Sequence, residues 1–276
     1  MKDLILFDMD GTISEPRGRV VSEFISMLPL LTERYHVGIV TGSGIEYVRE
    51  QAPFLFGGSA ARAVGQERGH FGSVLIFPCN GTQHFESSFD DLKHRGVKKV
   101  YSTDIISELG SDIYRSLITI ITGLQLDVLE NYDIPVSGNF ISLRESMVNW
   151  CPIGRSATQQ DRDVFSKIDN DVNLRDSLMQ KLNISLEFSG IKTIEVVLGG
   201  VTSLDIYPVG WDKTYCLSFL KSEFPDSKKI YFFGDKCLEG QNDCSIYKEC
   251  YPNSYNVSSP LETVGILQRK FINSKQ

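Results

Sequence analysis

The chain has 276 residues, of which 41% are hydrophobic and 23% are charged. This composition is typical of a globular protein and excludes a largely disordered one. The formal net charge of −7 argues against nucleic acid as a main partner, because nucleic-acid-binding proteins usually carry a basic surface. No apolar run approaches the length of a membrane-spanning helix, so no membrane partner is expected.

Cysteine usage and the first residues bear on the compartment of the protein. The six cysteines form no C-x-x-C pair, and a chain of this length does not need disulfides to stabilise its fold. Only four apolar residues directly precede Asp8, too few for the hydrophobic segment of a secretory signal peptide. We therefore expect a cytoplasmic protein with reduced cysteines.

The first part of the chain alternates predicted strands with predicted helices. Continuous apolar runs at 4–7, 37–40 and 74–77 predict buried parallel strands, and the spacing of apolar residues predicts helices at 20–34 and 45–51. The segment 53–72 has weak periodicity and is predicted to be a loop with a short helix. The alternation predicts an α/β fold whose core is a doubly wound, Rossmann-like parallel sheet.

The pattern changes near residue 83. Beyond it the sequence predicts helices at 103–130 and 161–182, and strands at 140–144, 148–150, 186–188, 193–198 and 203–207. A helix at 211–224 and a buried strand at 229–233 then resume the first pattern. We therefore predict a core formed by residues 1–81 and 210–276, interrupted by an inserted α+β domain of residues 82–209.

Reactive side chains follow the predicted core strands. Asp8 and Asp10 follow the first strand, Thr41 follows the second and Asp235 follows the last, while Lys213 opens the helix after the insert. Ligands of open α/β sheets bind outside the carboxyl ends of the strands. We therefore expect these side chains to share one site.

Phosphoryl transfer suits these residue types because it depends mainly on positioning and charge neutralisation. Asp8 is the candidate nucleophile, forming an acyl phosphate, and Asp10 is the candidate general acid and base. Asp8, the backbone carbonyl of Asp10 and Asp235 form a partial oxygen shell suited to Mg²⁺. We expect Lys213 to hold Asp8 and the phosphoryl oxygens together, and Thr41 to donate a hydrogen bond to those oxygens.

These motifs resemble the haloacid dehalogenase superfamily, and longer stretches resemble its eukaryotic-type phosphomannomutases. The stretches are ILFDMDGTISEPR, NWCPIGR, GGVTSLDIYPVGWDK and IYFFGDKCLEGQND, at 5–17, 149–155, 199–213 and 230–243. The resemblance implies interconversion of mannose 6-phosphate and mannose 1-phosphate, feeding GDP-mannose synthesis. It implies Mg²⁺ and a hexose 1,6-bisphosphate activator that phosphorylates Asp8. It also implies that the insert is a cap domain that closes over the core and forms a homodimer.

The resemblance extends to further site residues. It implies substrate-binding roles for Arg17, Arg144, Arg155, Arg162, Ser203 and Asp205. It also implies a second cation site formed by the carbonyl of Tyr247 and the carboxylate of Glu249. Planar guanidinium groups suit a phosphate held away from the nucleophile, which agrees with the cluster of Arg144, Arg155 and Arg162 in the insert.

Two alternatives to the mutase stay open. A sugar phosphate phosphatase of the same superfamily would use the same core motifs and pass the phosphoryl group to water. A catalytically inactive binding protein is disfavoured, because Asp8, Asp10, Lys213 and Asp235 are all present. The arginines and the GGVTSLDIYPVGWDK stretch favour the mutase over the phosphatase.

Overall fold

A computed structural model describes residues 2–57, 71–89 and 95–273 of the chain. The chain divides into two compact units, of which the first contains Met1–Ser102 and Gly210–Gln276 and the second contains Thr103–Val209. The predicted loop at 53–72 falls largely outside the described residues. Its beginning, Pro53–Leu55, forms one 3₁₀ turn.

The described elements are numbered in chain order. The strands are β1 Leu4–Phe7, β2 His36–Val40, β3 Val74–Phe77, β4 Gln83–Phe89, β5 Arg95–Ser102, β6 Ile141–Arg144, β7 Met147–Trp150, β8 Ile194–Gly199, β9 Ser203–Pro208, β10 Ile230–Gly234 and β11 Ser254–Asn256. The α-helices are α1 Ser22–Arg34, α2 Ile45–Gln51, α3 Ile105–Leu109, α4 Ser111–Asn131, α5 Gln159–Val172, α6 Leu174–Phe188, α7 Tyr215–Glu223, α8 Cys244–Cys250 and α9 Pro260–Leu267. None of the helices within the described ranges is long and apolar enough to cross a lipid bilayer.

The first unit is built on a sheet whose strand order is β11-β10-β1-β2-β3-β4-β5. The strands from β11 to β3 pair in parallel, and β4 and β5 extend the sheet in antiparallel pairing. Both faces of the parallel part are covered by helices, which is why its strands are continuous apolar runs. This arrangement confirms the predicted α/β fold with a parallel core sheet.

Alternate residues of β1 pack into two hydrophobic clusters, one on each face of the core sheet. Ile5 and Phe7 pack into a cluster that includes residues of α1 and α9. Leu4 and Leu6 pack into a cluster that includes residues of α7 and α8. Because side chains of a strand alternate between the faces of a sheet, a four-residue strand anchors both helical layers. The residue that follows it, Asp8, is thereby held at the carboxyl end of the central part of the sheet.

The sheet also locates the division between the units. Strand β4 pairs with β3 in antiparallel register, and β5 pairs with β4. The predicted start of the insert at residue 82 therefore falls inside the first unit, and the second unit begins at Thr103. The 3₁₀ turn at Cys79–Gly81 therefore reverses the strand direction within the core sheet and is not a domain boundary.

The second unit contains an antiparallel sheet with the strand order β6-β7-β9-β8. One face buries apolar side chains of the two inner strands, including Val148, Trp150, Leu204 and Ile206. Helix α4 packs against α6, and α6 packs against β8 and β9. The other face carries the paired residues Asn149 and Asp205, so one sheet face is apolar and the other is polar, as expected when only one face is packed on a core.

Three predicted elements of this unit differ from the structure. The helix predicted at 103–130 is interrupted at Gly110, and the helix predicted at 161–182 is interrupted at Asn173, both of which have positive φ. The strand predicted at 186–188 is wrong, because these residues end α6. Leu178, Leu182 and Leu186 continue a buried stripe at four-residue spacing, which keeps side chains on one face of a helix.

The turn that carries the P-I-G-R motif depends on Gly154. Its φ is +87°, and a Cβ there would lie 1.9 Å from the backbone oxygen of Gly138. We predict that Gly154→Ala lowers the free energy of unfolding by more than about 3 kcal/mol, since both backbone strain and steric overlap must be relieved. Chemical denaturation measures this change.

Gly190→Ala is the matched control for that variant. Gly190 has φ +73° at the end of α6, but nothing lies within 4 Å of the position of an added Cβ. Gly190→Ala should lower the free energy of unfolding by only about 1 kcal/mol, which is the cost of placing a residue with a Cβ in the left-handed backbone region. Equal losses for the two alanine variants would contradict a role for the Gly138 contact.

Candidate active site

Four of the sequence-predicted side chains lie in the first unit at the ends of core elements. Asp8 directly follows β1, Thr41 directly follows β2 and Asp235 directly follows β10. Lys213 lies two residues before α7. Neighbouring parallel strands bring their carboxyl ends to one edge of the sheet, so β10, β1 and β2 supply these groups side by side.

Lys213 is the centre of this cluster. Its side chain is fully buried, and its ammonium group donates to the carboxylates of both Asp8 and Asp243. Burial alone would lower the pKa of Lys213, but Asp243 and Asp8 together raise it above its ordinary value. Lys213 is therefore a fixed positive charge, since a buried cation is tolerated when it is paired and hydrogen-bonded.

Asp8 is held between opposing electrostatic effects. Burial, the largest effect, and the neighbouring Asp243 raise the pKa of Asp8, whereas Lys213 lowers it, and the net result is a pKa of about 7. A nucleophilic carboxylate must be ionised, so a further positive charge beside Asp8 would favour the reactive form. The site thus contains more buried negative charge than Lys213 alone neutralises.

The acidic residues fit a divalent cation. Asp8, Asp235 and Asp243 each offer a carboxylate oxygen, and these oxygens lie within 4.8 Å of one another. Oδ1 of Asp235 is buried and has no hydrogen-bond partner among the described residues. An unpaired buried carboxylate oxygen is costly, and oxygen ligands of this kind suit Mg²⁺. The residues present therefore fit the metal that the sequence predicts.

Two features of the cluster were not assigned from the sequence. The sequence places Asp243 among the reactive groups after the last strand without giving it a role, and in the structure it pairs with Lys213 and belongs to the acidic group. Gly11 approaches Asp235 so closely that an added Cβ would lie 2.4 Å from its Oδ2, and φ of Gly11 is +79°. The position of Asp243 in the loop after β10 places it near the site, but the sequence does not show which residue of that loop faces Lys213.

Asp10 is fixed by two hydrogen bonds to a single oxygen. Its Oδ1 accepts from the backbone N–H of Arg17 and from Nε2 of Gln51, both at 2.8 Å. The side chain of Arg17 is exposed, and its φ is +59°, a conformation that non-glycine residues adopt at a cost. Sequence reasoning missed Gln51, which lies on the last turn of α2 and is separated from Asp10 by 41 residues.

Thr41 has one hydroxyl hydrogen to donate. Its Oγ1 accepts from the backbone N–H of Ser43 at 3.2 Å, and no described residue accepts from its hydroxyl. Its carbonyl accepts from the N–H of Asn80 at 2.8 Å, which ties the end of β2 to the turn after β3. The hydroxyl is therefore available to a bound oxyanion.

The predicted second cation site has a different environment. Glu249 is exposed, and its carboxylate pairs with Lys221 at 2.9 Å. Tyr247 lies on α8, with its backbone N–H bonded to the carbonyl of Asp243. Within the described ranges, one group of acidic, histidine or cysteine side chains lies close enough together to share an ion. It consists of Asp8, Asp235 and Asp243 and does not include Glu249. A site at Tyr247 and Glu249 stays a prediction.

In the second unit, three of the predicted substrate residues lie on strands. Asn149 Nδ2 donates to Oδ1 of Asp205 at 2.6 Å, and Ser203 Oγ donates to the carbonyl of Gly199 at 2.7 Å. Arg144 ends β6, two residues from Ser142, which pairs with Asn149. Arg144, Asn149, Ser203 and Asp205 thus point to the same polar face, since alternate residues of a strand share a face.

The other two predicted substrate-binding arginines of this unit contact each other. Arg155 is exposed, and its carbonyl accepts from Nη2 of Arg162 at 3.2 Å. Arg162 also donates to the carbonyl of Ala157 at 3.3 Å and to Oγ1 of Thr202 at 3.2 Å. Arg162 thus fixes the turn that bears Arg155, and two of its five N–H groups have no partner among the described residues.

The chain is similar to known proteins along most of its length. A family model described as eukaryotic phosphomannomutase matches residues 23–273. The chain belongs to the eukaryotic phosphomannomutase family. It is 34% identical to a phosphomannomutase of Drosophila melanogaster, over 96% of this chain and 93% of the relative. It is 31% identical to a phosphomannomutase of Arabidopsis thaliana, over 98% and 96%.

Solved structures share the fold with this family member. An N-terminally truncated IMP-nucleotidase of Plasmodium falciparum has a TM-score of 0.65 at 15% identity, over 99% of this chain and 71% of that chain. A trehalose-6-phosphate phosphatase of Aspergillus fumigatus has a TM-score of 0.52 at 15% identity, over 97% and 91%. These likenesses concern the fold alone.

The raised pKa of Asp8 predicts the pH dependence of Mg²⁺ binding. Below about pH 7 the folded chain keeps a proton on Asp8, and binding Mg²⁺ must displace it. The affinity should therefore rise by up to about tenfold per pH unit below pH 7 and level off above it. Isothermal titration calorimetry at several pH values measures this dependence.

Asp8→Asn provides the control for that titration. The amide cannot hold the displaced proton, so its weaker Mg²⁺ binding should vary little across the same pH range. A wild-type affinity that is flat between pH 5.5 and 8, roughly a unit to either side of the expected pKa, would show that Asp8 does not bind the ion as a carboxylate.

Proposed function

We propose that this chain is a phosphomannomutase that interconverts mannose 6-phosphate and mannose 1-phosphate. The observation that carries the proposal is the cluster of the buried residues Asp8, Lys213 and Asp243 with the half-buried Asp235, in a member of the eukaryotic phosphomannomutase family. The cluster combines a carboxylate nucleophile, a fixed cation and oxygen ligands for a metal. Phosphoryl transfer requires these three elements.

The first step phosphorylates the protein. An oxygen of Asp8 attacks a phosphorus of hexose 1,6-bisphosphate, and the bond from that phosphorus to the sugar oxygen breaks. The electron pair stays on the sugar oxygen, which takes a proton from the carboxyl group of Asp10. Asp8 then carries the phosphoryl group as an acyl phosphate, and Asp10 is a carboxylate.

The second step transfers the group to the substrate. The Asp10 carboxylate takes the proton of a hydroxyl of mannose 6-phosphate, and that oxygen attacks the phosphorus on Asp8. The resulting bisphosphate turns round in the site, and its other phosphoryl group returns to Asp8. Mannose 1-phosphate leaves, and the same Asp10 serves as acid and base in turn.

The remaining residues neutralise charge and hold the substrate. Asp8, the carbonyl of Asp10 and Asp235 would hold Mg²⁺, whose positive charge would reduce repulsion between the carboxylate and the phosphate. Asp243 joins this acidic group. Lys213 and the hydroxyl of Thr41 are proposed to contact the phosphoryl oxygens, the former as a point charge and the latter as a neutral donor.

The other phosphate and the sugar are assigned to the remaining predicted residues. Guanidinium groups bind phosphate in a bidentate manner, and the proposed ligands are Arg17, Arg144, Arg155 and Arg162. Ser203 and Asp205 are the proposed partners of sugar hydroxyls. We further propose a cytoplasmic homodimer that forms through the inserted unit and supplies mannose 1-phosphate for GDP-mannose synthesis.

A turnover assay tests the proposal. The purified protein with Mg²⁺ and mannose 1-phosphate should form mannose 6-phosphate, and the rate should depend on added hexose 1,6-bisphosphate. Nuclear magnetic resonance of phosphorus distinguishes the two esters from free phosphate. Asp8→Asn should reduce the rate by at least about 10³-fold, since it removes the nucleophile.

Two outcomes would contradict the proposal in different ways. Free phosphate as the main product would assign the protein to sugar phosphate hydrolysis, because water would then be the acceptor. Undiminished isomerisation by Asp8→Asn would leave the mutase activity in place and refute the assignment of the nucleophile. Gly190→Ala, a change at the end of α6, serves as the control for nonspecific loss of activity.

A further inference from the structure

We propose that Gln51 is a positioning residue that selects which oxygen of Asp10 transfers protons. This inference rests on the proposed function, in which Asp10 protonates the leaving oxygen and deprotonates the attacking one. The observations that carry it are the hydrogen bonds, burial and backbone conformation around Asp10. Within the described ranges, the side chain of Gln51 hydrogen-bonds to Asp10, Ser14 and Gly18, and it makes no hydrogen bond to Asp8 or Asp235.

The orientation of the Gln51 amide is determined by its neighbours. Gln51 is 2% exposed, and its Nε2 donates to Oδ1 of Asp10 at 2.8 Å, to the carbonyl of Gly18 at 2.9 Å and to Oγ of Ser14 at 3.4 Å. The Asp10 and Gly18 oxygens can only accept, so the amide nitrogen must face them. Its Oε1 is buried and unpaired among the described residues, an arrangement that costs stability.

A second donor reaches the same oxygen of Asp10. The backbone N–H of Arg17 lies 2.8 Å from Oδ1, and Arg17 has φ +59°. Strained backbone that is retained in a structure often serves a functional geometry. The carbonyl of Gln51 also accepts from the N–H of Val20 at 3.0 Å, so Gln51 holds both ends of the segment that bears the Arg17 donor.

The two donors leave only one oxygen of Asp10 for chemistry. Oδ1 has two lone pairs in the plane of the carboxylate, and both are directed to N–H groups. Oδ2 accepts no hydrogen bond from a described residue. The proton that moves to and from the sugar oxygen must therefore reside on Oδ2, and Gln51 holds that oxygen in one orientation.

The alternative is that Gln51 only braces the segment before α1. The two roles differ in their dependence on the leaving group. A hexose oxygen must be protonated as it leaves, whereas the nitrophenolate of p-nitrophenyl phosphate leaves without a proton. Loss of a positioned general acid therefore slows transfer from the sugar phosphate and spares transfer from the aryl phosphate.

The test compares the two phosphoryl donors in the full-length protein with Mg²⁺. Gln51→Met is the main variant, because it keeps the side-chain volume and removes both amide donors. With mannose 1-phosphate and the bisphosphate, we expect kcat to fall by about 10- to 100-fold with little change in KM. With p-nitrophenyl phosphate, kcat/KM for release of nitrophenolate should change by less than about threefold.

Two further variants make the comparison specific. Gln51→Ala, which leaves room for water beside Asp10, should show the same selectivity between donors. Thr32→Val is the matched control, since it removes a buried hydroxyl of α1 that bonds to the carbonyl of Leu28 at 2.7 Å and accepts from Gly72 at 2.8 Å. It should lower the unfolding midpoint and leave the ratio of the two rates unchanged.

The outcomes separate this inference from the proposed function. A wild-type protein that transfers from neither donor would overturn the proposed function, and this inference with it. The positioning role would be overturned if the wild type is active and Gln51→Met slows transfer from both phosphoryl donors equally. It would also be overturned if Gln51→Met does not slow transfer from the sugar phosphate. Either result would leave the mutase in place.

Discussion

The site depends on one interaction, the contact of the buried Lys213 ammonium with the carboxylates of Asp8 and Asp243. Two carboxylates at the same edge of a sheet repel each other, and burial strengthens that repulsion. A single fixed cation between them makes the arrangement tolerable. Removing it would leave two buried negative charges, a change that typically costs about 3–5 kcal/mol.

The fold supplies the geometry that this interaction needs. Asp8 follows a strand whose side chains are buried on both faces, so its backbone has little freedom. Asp243 directly precedes α8, and its Oδ2 also accepts from the N–H of Lys236 at 3.2 Å. Because each carboxylate is fixed before a substrate arrives, the cluster is preorganised for the charge that develops during transfer.

The sequence predicted those parts of the site whose chemistry is visible locally. Asp8 and Asp235 each follow an apolar run, and Lys213 lies in a stretch that matches a known family. Gln51 and Asn149 were missed, because each occupies an ordinary position in a helix or a strand and meets its partner, Asp10 or Asp205, far along the chain. Contacts of that kind depend on topology, which local patterns do not encode.

The same reasoning explains the errors in the fold. A short apolar run at 186–188 suits either a strand or the end of a helix, and the buried stripe through Leu178 and Leu182 decides for the helix. The predicted boundary at residue 82 follows the turn-forming sequence Pro-Cys-Asn-Gly at 78–81. Antiparallel pairing of β4 with β3 shows that the turn returns the chain to the same sheet.

The central claim is that Asp8 carries the phosphoryl group during turnover. It is tested most directly by incubating the protein with Mg²⁺ and radiolabelled hexose 1,6-bisphosphate, quenching rapidly with acid and mapping the labelled peptide. The account predicts label on the peptide that contains Asp8 and none in the Asp8→Asn variant. Label on a different residue, or turnover without any labelled protein, would contradict it.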